Sequence, residues 1–320
     1  MKIVFLDGYT ANLGDLNWSE FEALGEFTVY DRTEPENIIE RISDAEYVFT
    51  NKCIIDKKVI DSCPNIKWIG VTATGYNVVD IDYAREKGIP VTNAPAYSSD
   101  VVAEYSYGLL LQLCHSIKDH SDRVHKGKWF DSPDFCFCDF PQMELLGKTM
   151  GIIGFGNIGR RSAKIADAFG MKVLIFSNYP DKSFESDNVK FTDLNTLIES
   201  SDVINLHCKL TEANKGFINA EIIGKMKKGA MIINTARGPL VNEKDLAGAL
   251  KTGKLGGAAL DVLSVEPPNR DNPLIGIENC IITPHVAWAS KESRSRLLTI
   301  VSNNLKEFLK GNLVNCVNGL

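Results

Sequence analysis

Apolar residues along the chain gather into short β-branched or aromatic runs separated by stretches of helical period. Over residues 1–99 the runs are Ile3–Leu6, Phe27–Tyr30, Tyr47–Thr50, Trp68–Val71 and Ile89–Thr92. Between them, Glu36–Ile42 and Asp82–Lys87 carry apolar positions on one helical face, and Gly88 stops the second. Runs apolar at successive positions predict strands buried on both faces, hence a parallel sheet with helices on each side. Right-handed crossovers narrow the winding to that of a small flavodoxin-like unit.

A long helical pattern follows from Asp100, its cap, to about Asp119, with Val101, Val102, Tyr105, Leu109 and Leu113 in register. His115, His120 and His125 fall on or after it and are expected to face solvent. Lys126–Pro141 is irregular and holds Trp129, Phe130, Phe135, Phe137 and Phe140. Aromatics crowded into one loop read either as a loop packed on its own domain or as an arm that forms a homodimer. The alternation then restarts: Met150–Ile153, Val173–Phe176, Val203–Leu206, Ala230–Asn234, Gly257–Val262 and Cys280–Thr283 are the predicted strands. These six strands match a doubly wound Rossmann sheet. The last helical pattern, Lys291–Lys310, has no further strand to feed and is expected to cross back to the first domain. The chain is thus expected to be α/β, with two doubly wound parallel-sheet domains. A flavodoxin-like substrate domain would comprise residues 1–99 and 289–320, and a Rossmann dinucleotide-binding domain residues 100–288.

Composition narrows the classes of function. With 320 residues, 44% hydrophobic and 24% charged, the chain can bury a substantial core, and disorder is excluded. Its 35 basic and 41 acidic residues leave a formal net charge of −6, no footprint for nucleic acid or a membrane surface. The opening run Met1–Leu6, closed by Asp7, is too short for a signal peptide's core or a spanning helix. Eight irregularly spaced cysteines point away from a disulfide scaffold and toward a cytoplasmic, reducing setting. The one close pair, Cys136 and Cys138, lacks the further ligands of a zinc site, so no metal is expected.

Directly after the strand Met150–Ile153 stands Gly154-Phe155-Gly156-Asn157-Ile158-Gly159, opening a helix that runs to Phe169 and stops at Gly170. In that context each glycine has a physical role. Gly154 permits a tight turn, Gly156 allows close approach of backbone to a pyrophosphate, and Gly159 serves helix packing. The helix N-terminus offers unpaired N–H groups and a favourable dipole. A dinucleotide site is therefore predicted. The acid that often ends the second strand, where it would bind the ribose of NAD and repel the 2′-phosphate of NADP, is replaced by Ser177. No arginine follows to welcome a phosphate, though Lys182 or Lys209 would serve, so NAD and NADP both stay open, with NAD favoured.

Ligands of open parallel sheets bind beyond the carboxyl ends of the strands. Three neighbouring strand ends bring polar residues there: Thr235-Ala236-Arg237-Gly238, Glu266-Pro267 and Pro284-His285. The planar fork of Arg237 suits a carboxylate, and a histidine beside a glutamate is poised to give and take a proton. His207, also at a strand end, reads as structural rather than as a second catalyst.

The segments Gly151–Gly159, Asn234–Gly238, Leu260–Pro267 and Thr283–Ser290, with Thr72-Ala73-Thr74-Gly75-Tyr76-Asn77, resemble the D-isomer-specific 2-hydroxyacid dehydrogenases. The resemblance spans essentially the whole chain and within the family is greatest to the glycerate dehydrogenases, or hydroxypyruvate reductases. It implies NAD(P)-dependent reduction of hydroxypyruvate to D-glycerate, with glyoxylate as a further substrate. Arg237 would hold the substrate carboxylate and polarise the keto oxygen, His285 would protonate that oxygen, and Glu266 would hydrogen-bond His285. The backbone at Thr74 and Gly75 would bind the same carboxylate, and Asp261 would lie near the nicotinamide amide. Ser177 departs from the family, and Lys209 stands where relatives often carry proline. The competing readings are a reductase for another 2-keto acid and a dinucleotide-sensing, corepressor-like binding protein.

Overall fold

The computed structural model describes residues 1–320. The chain forms two compact units, Met1–Ser98 with Trp288–Leu320, and Ser99–Ala287.

In the first unit, β1 (Lys2–Phe5), β2 (Glu26–Val29), β3 (Tyr47–Thr50), β4 (Trp68–Val71) and β5 (Val91–Thr92) form a parallel sheet of order β2-β1-β3-β4-β5. Every residue of β3 and β4 is buried, which is why their sequences are apolar without alternation. The strand expected over Ile89–Thr92 shortens to β5, because Pro90 has no N–H to give the ladder and confines the segment to the sheet edge. Helices α1 (Ser19–Glu22), α2 (Ile38–Ile42), α3 (Lys57–Ser62) and α4 (Ile81–Glu86) connect the strands. Asp56 caps α3 by accepting from Val59 N at 3.0 Å, and Asp80 caps α4 by accepting from Tyr83 N at 3.0 Å. The C-terminal helix, Lys291–Leu309, lays Leu297, Val301 and Leu305 against Phe5, Phe49 and Trp68. Each such leucine contributes roughly 1.5–3 kcal/mol by burial. The buried Arg294 joins Asp15 through two bonds of 2.7 Å, which fixes the start of that helix.

The second unit begins with α5 (Ser99–His115) and α6 (Ile117–His125). The single helix expected to Asp119 is broken at Ser116, whose φ of 46° is left-handed and turns the chain. His120 also departs from expectation. Its Nε2 is sealed from solvent, and its ring meets Phe140 edge-on at 5.1 Å, because Phe137 and Phe140 of the aromatic loop fold back over α6. Trp129, Phe130 and Phe135 of the same loop stay 52%, 89% and 90% exposed.

There follow β6 (Thr149–Ile153), α7 (Asn157–Ala168), β7 (Lys172–Phe176), β8 (Val189–Phe191), α8 (Leu194–Ser200), β9 (Val203–Leu206), α9 (Ala220–Lys225), β10 (Ala230–Asn234), α10 (Glu243–Lys251), β11 (Leu255–Leu260) and β12 (Cys280–Ile282). All seven strands are parallel, in the order β12-β11-β10-β9-β6-β7-β8. The strand missing from the sequence-based expectation is β8. It has three residues, of which only Val189 is buried, because it forms the sheet edge and carries no continuous apolar run. The strand order reverses between β6 and β9, the switch point where ligands bind in such sheets.

Candidate active site

The turn between β6 and α7 lies at that switch point. Gly154 has a φ of +103°, and a Cβ there would stand 2.5 Å from Cys208 N and 2.6 Å from His207 C, so the turn abuts the chain leaving β9. No side chain but hydrogen fits. Beside Gly156 the space is open for 4 Å, and Gly159 packs against the Gly154 carbonyl rather than chiefly against the strand. The N–H groups of Asn157, Ile158 and Gly159, the first turn of α7, have no partner in the protein. An open, glycine-lined helix N-terminus of this kind fits a dinucleotide pyrophosphate.

Neighbouring strand ends complete the rim. Ser177, after β7, accepts from Tyr179 N at 3.1 Å through Oγ. Lys182, one of the candidate phosphate ligands, instead pairs with Glu185 at 3.1 Å, while Lys209 is exposed and makes no ion pair. His207, after β9, has its Nε2 sealed without a partner, and burial pushes the imidazole down to about 3. It is a neutral ring at the strand end. Thr235, the next residue over in the register of β9 and β10, also keeps a sealed, unpartnered hydroxyl.

The remaining polar residues come together on β10, β11 and β12. Buried Asn234 accepts from Ala236 N at 3.0 Å and donates to the Arg237 carbonyl at 2.9 Å, a side-chain-locked turn. Arg237 emerges from it exposed, donates from Nη1 to the Ala236 carbonyl at 2.7 Å, and has no acidic partner. At Gly238 the chain approaches the β11 loop so closely that a Cβ would sit 1.9 Å from the carbonyl carbon of Leu263. Leu263 N in turn donates to Glu266 Oε1 at 3.0 Å, and Glu266 Oε2 meets His285 Nδ1 at 2.7 Å.

His285 itself has a φ of 54°, a conformation non-glycine residues adopt only when their surroundings hold them in it. Asp261 is the holder. It is 1% exposed, its carbonyl accepts from His285 N at 2.8 Å, and its carboxylate accepts from Thr283 Oγ1 at 2.6 Å and from Val286 and Ala287 N at 2.9 Å. Asp261, read from the sequence as a cofactor contact, therefore spends most of its bonding on the loop that carries His285. In the first unit, Thr74 donates through Oγ1 to the Ala94 carbonyl at 2.9 Å and accepts from Asn93 Nδ2 at 2.8 Å, while the N–H groups of Thr74 and Gly75 have no partner in the protein. Two features escaped the sequence: Asn234 as the lock of the arginine turn, signalled only by an amide at a strand end, and an Arg160–Asp181 pair beside the glycine turn.

A doubly wound sheet with a glycine turn at its switch point, and an arginine and a glutamate–histidine pair at adjacent strand ends, defines a nucleotide-dependent oxidoreductase of small acids. Residues 107–287 match the family described as D-isomer specific 2-hydroxyacid dehydrogenase, NAD binding domain. The chain is 53% identical over 321 residues to a hydroxypyruvate reductase of Blautia hydrogenotrophica, covering 99% of this chain and 100% of that one. It is 41% identical over 319 residues to a glycerate dehydrogenase of Methylorubrum extorquens, covering 99% and 98%. Among solved structures, D-lactate dehydrogenase from Aquifex aeolicus complexed with NAD and lactic acid superposes with a TM-score of 0.83 at 30% identity, over 99% of each chain. The protein belongs to the D-isomer specific 2-hydroxyacid dehydrogenases. It is an oxidoreductase acting on the CH–OH group of 2-hydroxy acids, with a nicotinamide dinucleotide as cofactor. No helix is long and apolar enough to cross a membrane.

Proposed function

We propose that the protein reduces hydroxypyruvate to D-glycerate with NADH. The observation that carries this reading is the 2.7 Å Glu266–His285 pair on strand ends next to an arginine without an acidic partner. The names of the relatives, hydroxypyruvate reductase and glycerate dehydrogenase, support the choice of substrate.

Residues 1–99 and 289–320 serve as the substrate domain and 100–288 as the cofactor domain. Gly154, Gly156, Asn157, Ile158 and Gly159 hold the pyrophosphate, Ser177 the adenosine ribose, and Thr235 and Ala236 the nicotinamide half. Asp261 reaches the nicotinamide amide through Oδ2, which also accepts from Ala287 N. When bound, the reduced nicotinamide supplies a hydride to the keto carbon. Arg237 grips the carboxylate with two N–H groups and polarises the keto oxygen, while Thr74 and Gly75 bind the carboxylate through backbone N–H groups. With Nδ1 engaged by Glu266, His285 delivers its proton from Nε2 to the forming hydroxyl, and the carboxylate balances the imidazolium charge before transfer. In the oxidative direction the same nitrogen takes the proton back.

NAD is favoured over NADP because no arginine follows β7 and Lys182 is engaged by Glu185. Trp129, Phe130 and Phe135 form the arm of a homodimer, since aromatics this exposed are enriched at interfaces. The free thiols suit a reducing, cytoplasmic setting. The reaction is tested by following NADH absorbance with hydroxypyruvate and, in parallel, with pyruvate and glyoxylate. Fastest turnover of hydroxypyruvate, yielding the D-isomer, is expected. Preference for an apolar 2-keto acid contradicts the substrate assignment.

A further inference from the structure

Arg160 and Asp181 lie outside every role assigned above, yet they flank the glycine turn. Arg160 directly follows Gly159, so its side chain leaves the first turn of α7, the helix whose N-terminus faces the pyrophosphate. Its guanidinium carbon stands 4.4 Å from the ring centre of Phe155, a residue inside the glycine turn, and 5.9 Å from that of Phe184. Nη1 donates to Asp181 Oδ2 at 2.8 Å. Asp181 belongs to the loop that leaves β7 through Ser177, and its other oxygen accepts from Ser183 N at 3.2 Å and Ser183 Oγ at 2.6 Å. Those bonds from Ser183, and then the one from Arg160, hold its carboxyl below the ordinary aspartate value, so it is charged at neutral pH.

The loop after β7 is where a Rossmann fold reads the adenosine ribose. Here the strand end itself is neutral, at Ser177, while an arginine with the fork geometry suited to a phosphate monoester stands nearby, steadied on an aromatic ring and occupied by a carboxylate. We propose that the Arg160–Asp181 pair sets the nucleotide preference. Asp181 occupies Arg160 and turns away the 2′-phosphate of NADP, doing from the loop what an acid at the strand end would do directly. The inference rests on the reading of the glycine turn as a nicotinamide dinucleotide site. Both partners are partly exposed, at 40% and 36%, so the pair adds little to folding and its consequence lies in the charge presented to the ligand.

Binding of NADH and NADPH without substrate, followed by protein fluorescence, tests this. Asp181→Asn should raise the ratio of NADPH to NADH affinity by about tenfold or more, the worth of one charge-assisted hydrogen bond gained. Asp181→Ser, which keeps a hydroxyl acceptor for the Ser183 N–H, should do the same and guards against a loosened turn. Adding Arg160→Ala to either variant should remove the greater part of that rise, leaving only what the lost repulsion contributes. An unchanged ratio in both single variants, or a rise that removal of Arg160 leaves undiminished, overturns the inference while leaving the cofactor site intact. A native protein that binds neither nucleotide overturns the site and the inference together.

Discussion

Arg237 and His207 illustrate how residue type and surroundings divide the labour at one sheet edge. Arg237 is exposed and unpaired with any acid, so its charge is available to a ligand. Lysine keeps that charge but loses the planar fork. Arg237→Lys should therefore lower kcat/KM for hydroxypyruvate by about 10–100-fold, measured with NADH saturating, because a charged hydrogen bond is worth roughly 1.5–3 kcal/mol. His207 is the opposite case. Its imidazole is depressed to about 3 by burial, against an ordinary value of 6.5, so between those values the unfolded chain binds a proton the folded chain refuses. Stability should then fall as pH drops from about 6.5 toward 3, and urea unfolding of His207→Asn should show a shallower pH slope. An identical slope in the variant contradicts the assignment. The placing of Arg237, Glu266 and His285 at neighbouring strand ends was legible from their order along the chain, whereas the bonding of Asp261 was not. Its bonds reach Thr283, Val286 and Ala287, partners visible only once β11 and β12 lie side by side.

Elements were legible to the extent that burial left a mark on composition. Strands such as β3 and β10, buried at every position, stand out as apolar runs. The edge strand β8 does not, since Val189-Lys190-Phe191 buries one residue fully, and the break at Ser116 has no glycine or proline to announce it. Loop geometry is set by contacts of the same hidden kind. Gly238 reads as a small neighbour of the arginine, but its reason is the Leu263 backbone, which would lie 1.9 Å from a Cβ. Gly238→Ala must push β10 and β11 loops apart, so chemical denaturation should show a loss on the order of 1–3 kcal/mol, together with reduced turnover as Glu266 shifts relative to Arg237. Native stability in that variant contradicts the close approach.

For the whole molecule, the feature still lacking a partner is the aromatic loop. Two of its rings cover His120, and three stay in solvent at 52%, 89% and 90% exposure, more apolar surface than a single surface loop ordinarily leaves open. If these rings form the arm of the proposed homodimer, the native protein should sediment as a dimer and replacing Trp129, Phe130 and Phe135 together with serine should yield monomer in sedimentation velocity, with the fold of each unit retained by circular dichroism. A native protein that already sediments as a monomer contradicts the assembly.

The measurement that bears most directly on the catalytic arrangement compares native protein with His285→Gln for NADH oxidation by hydroxypyruvate, with NADH binding recorded in the same samples. If His285 is the proton donor proposed above, its loss should lower kcat by roughly 10²–10⁴-fold while NADH affinity stays close to native. A His285→Gln protein that turns over at the native rate would contradict the assignment of His285, held by Glu266 and Asp261, as the acid of the reaction.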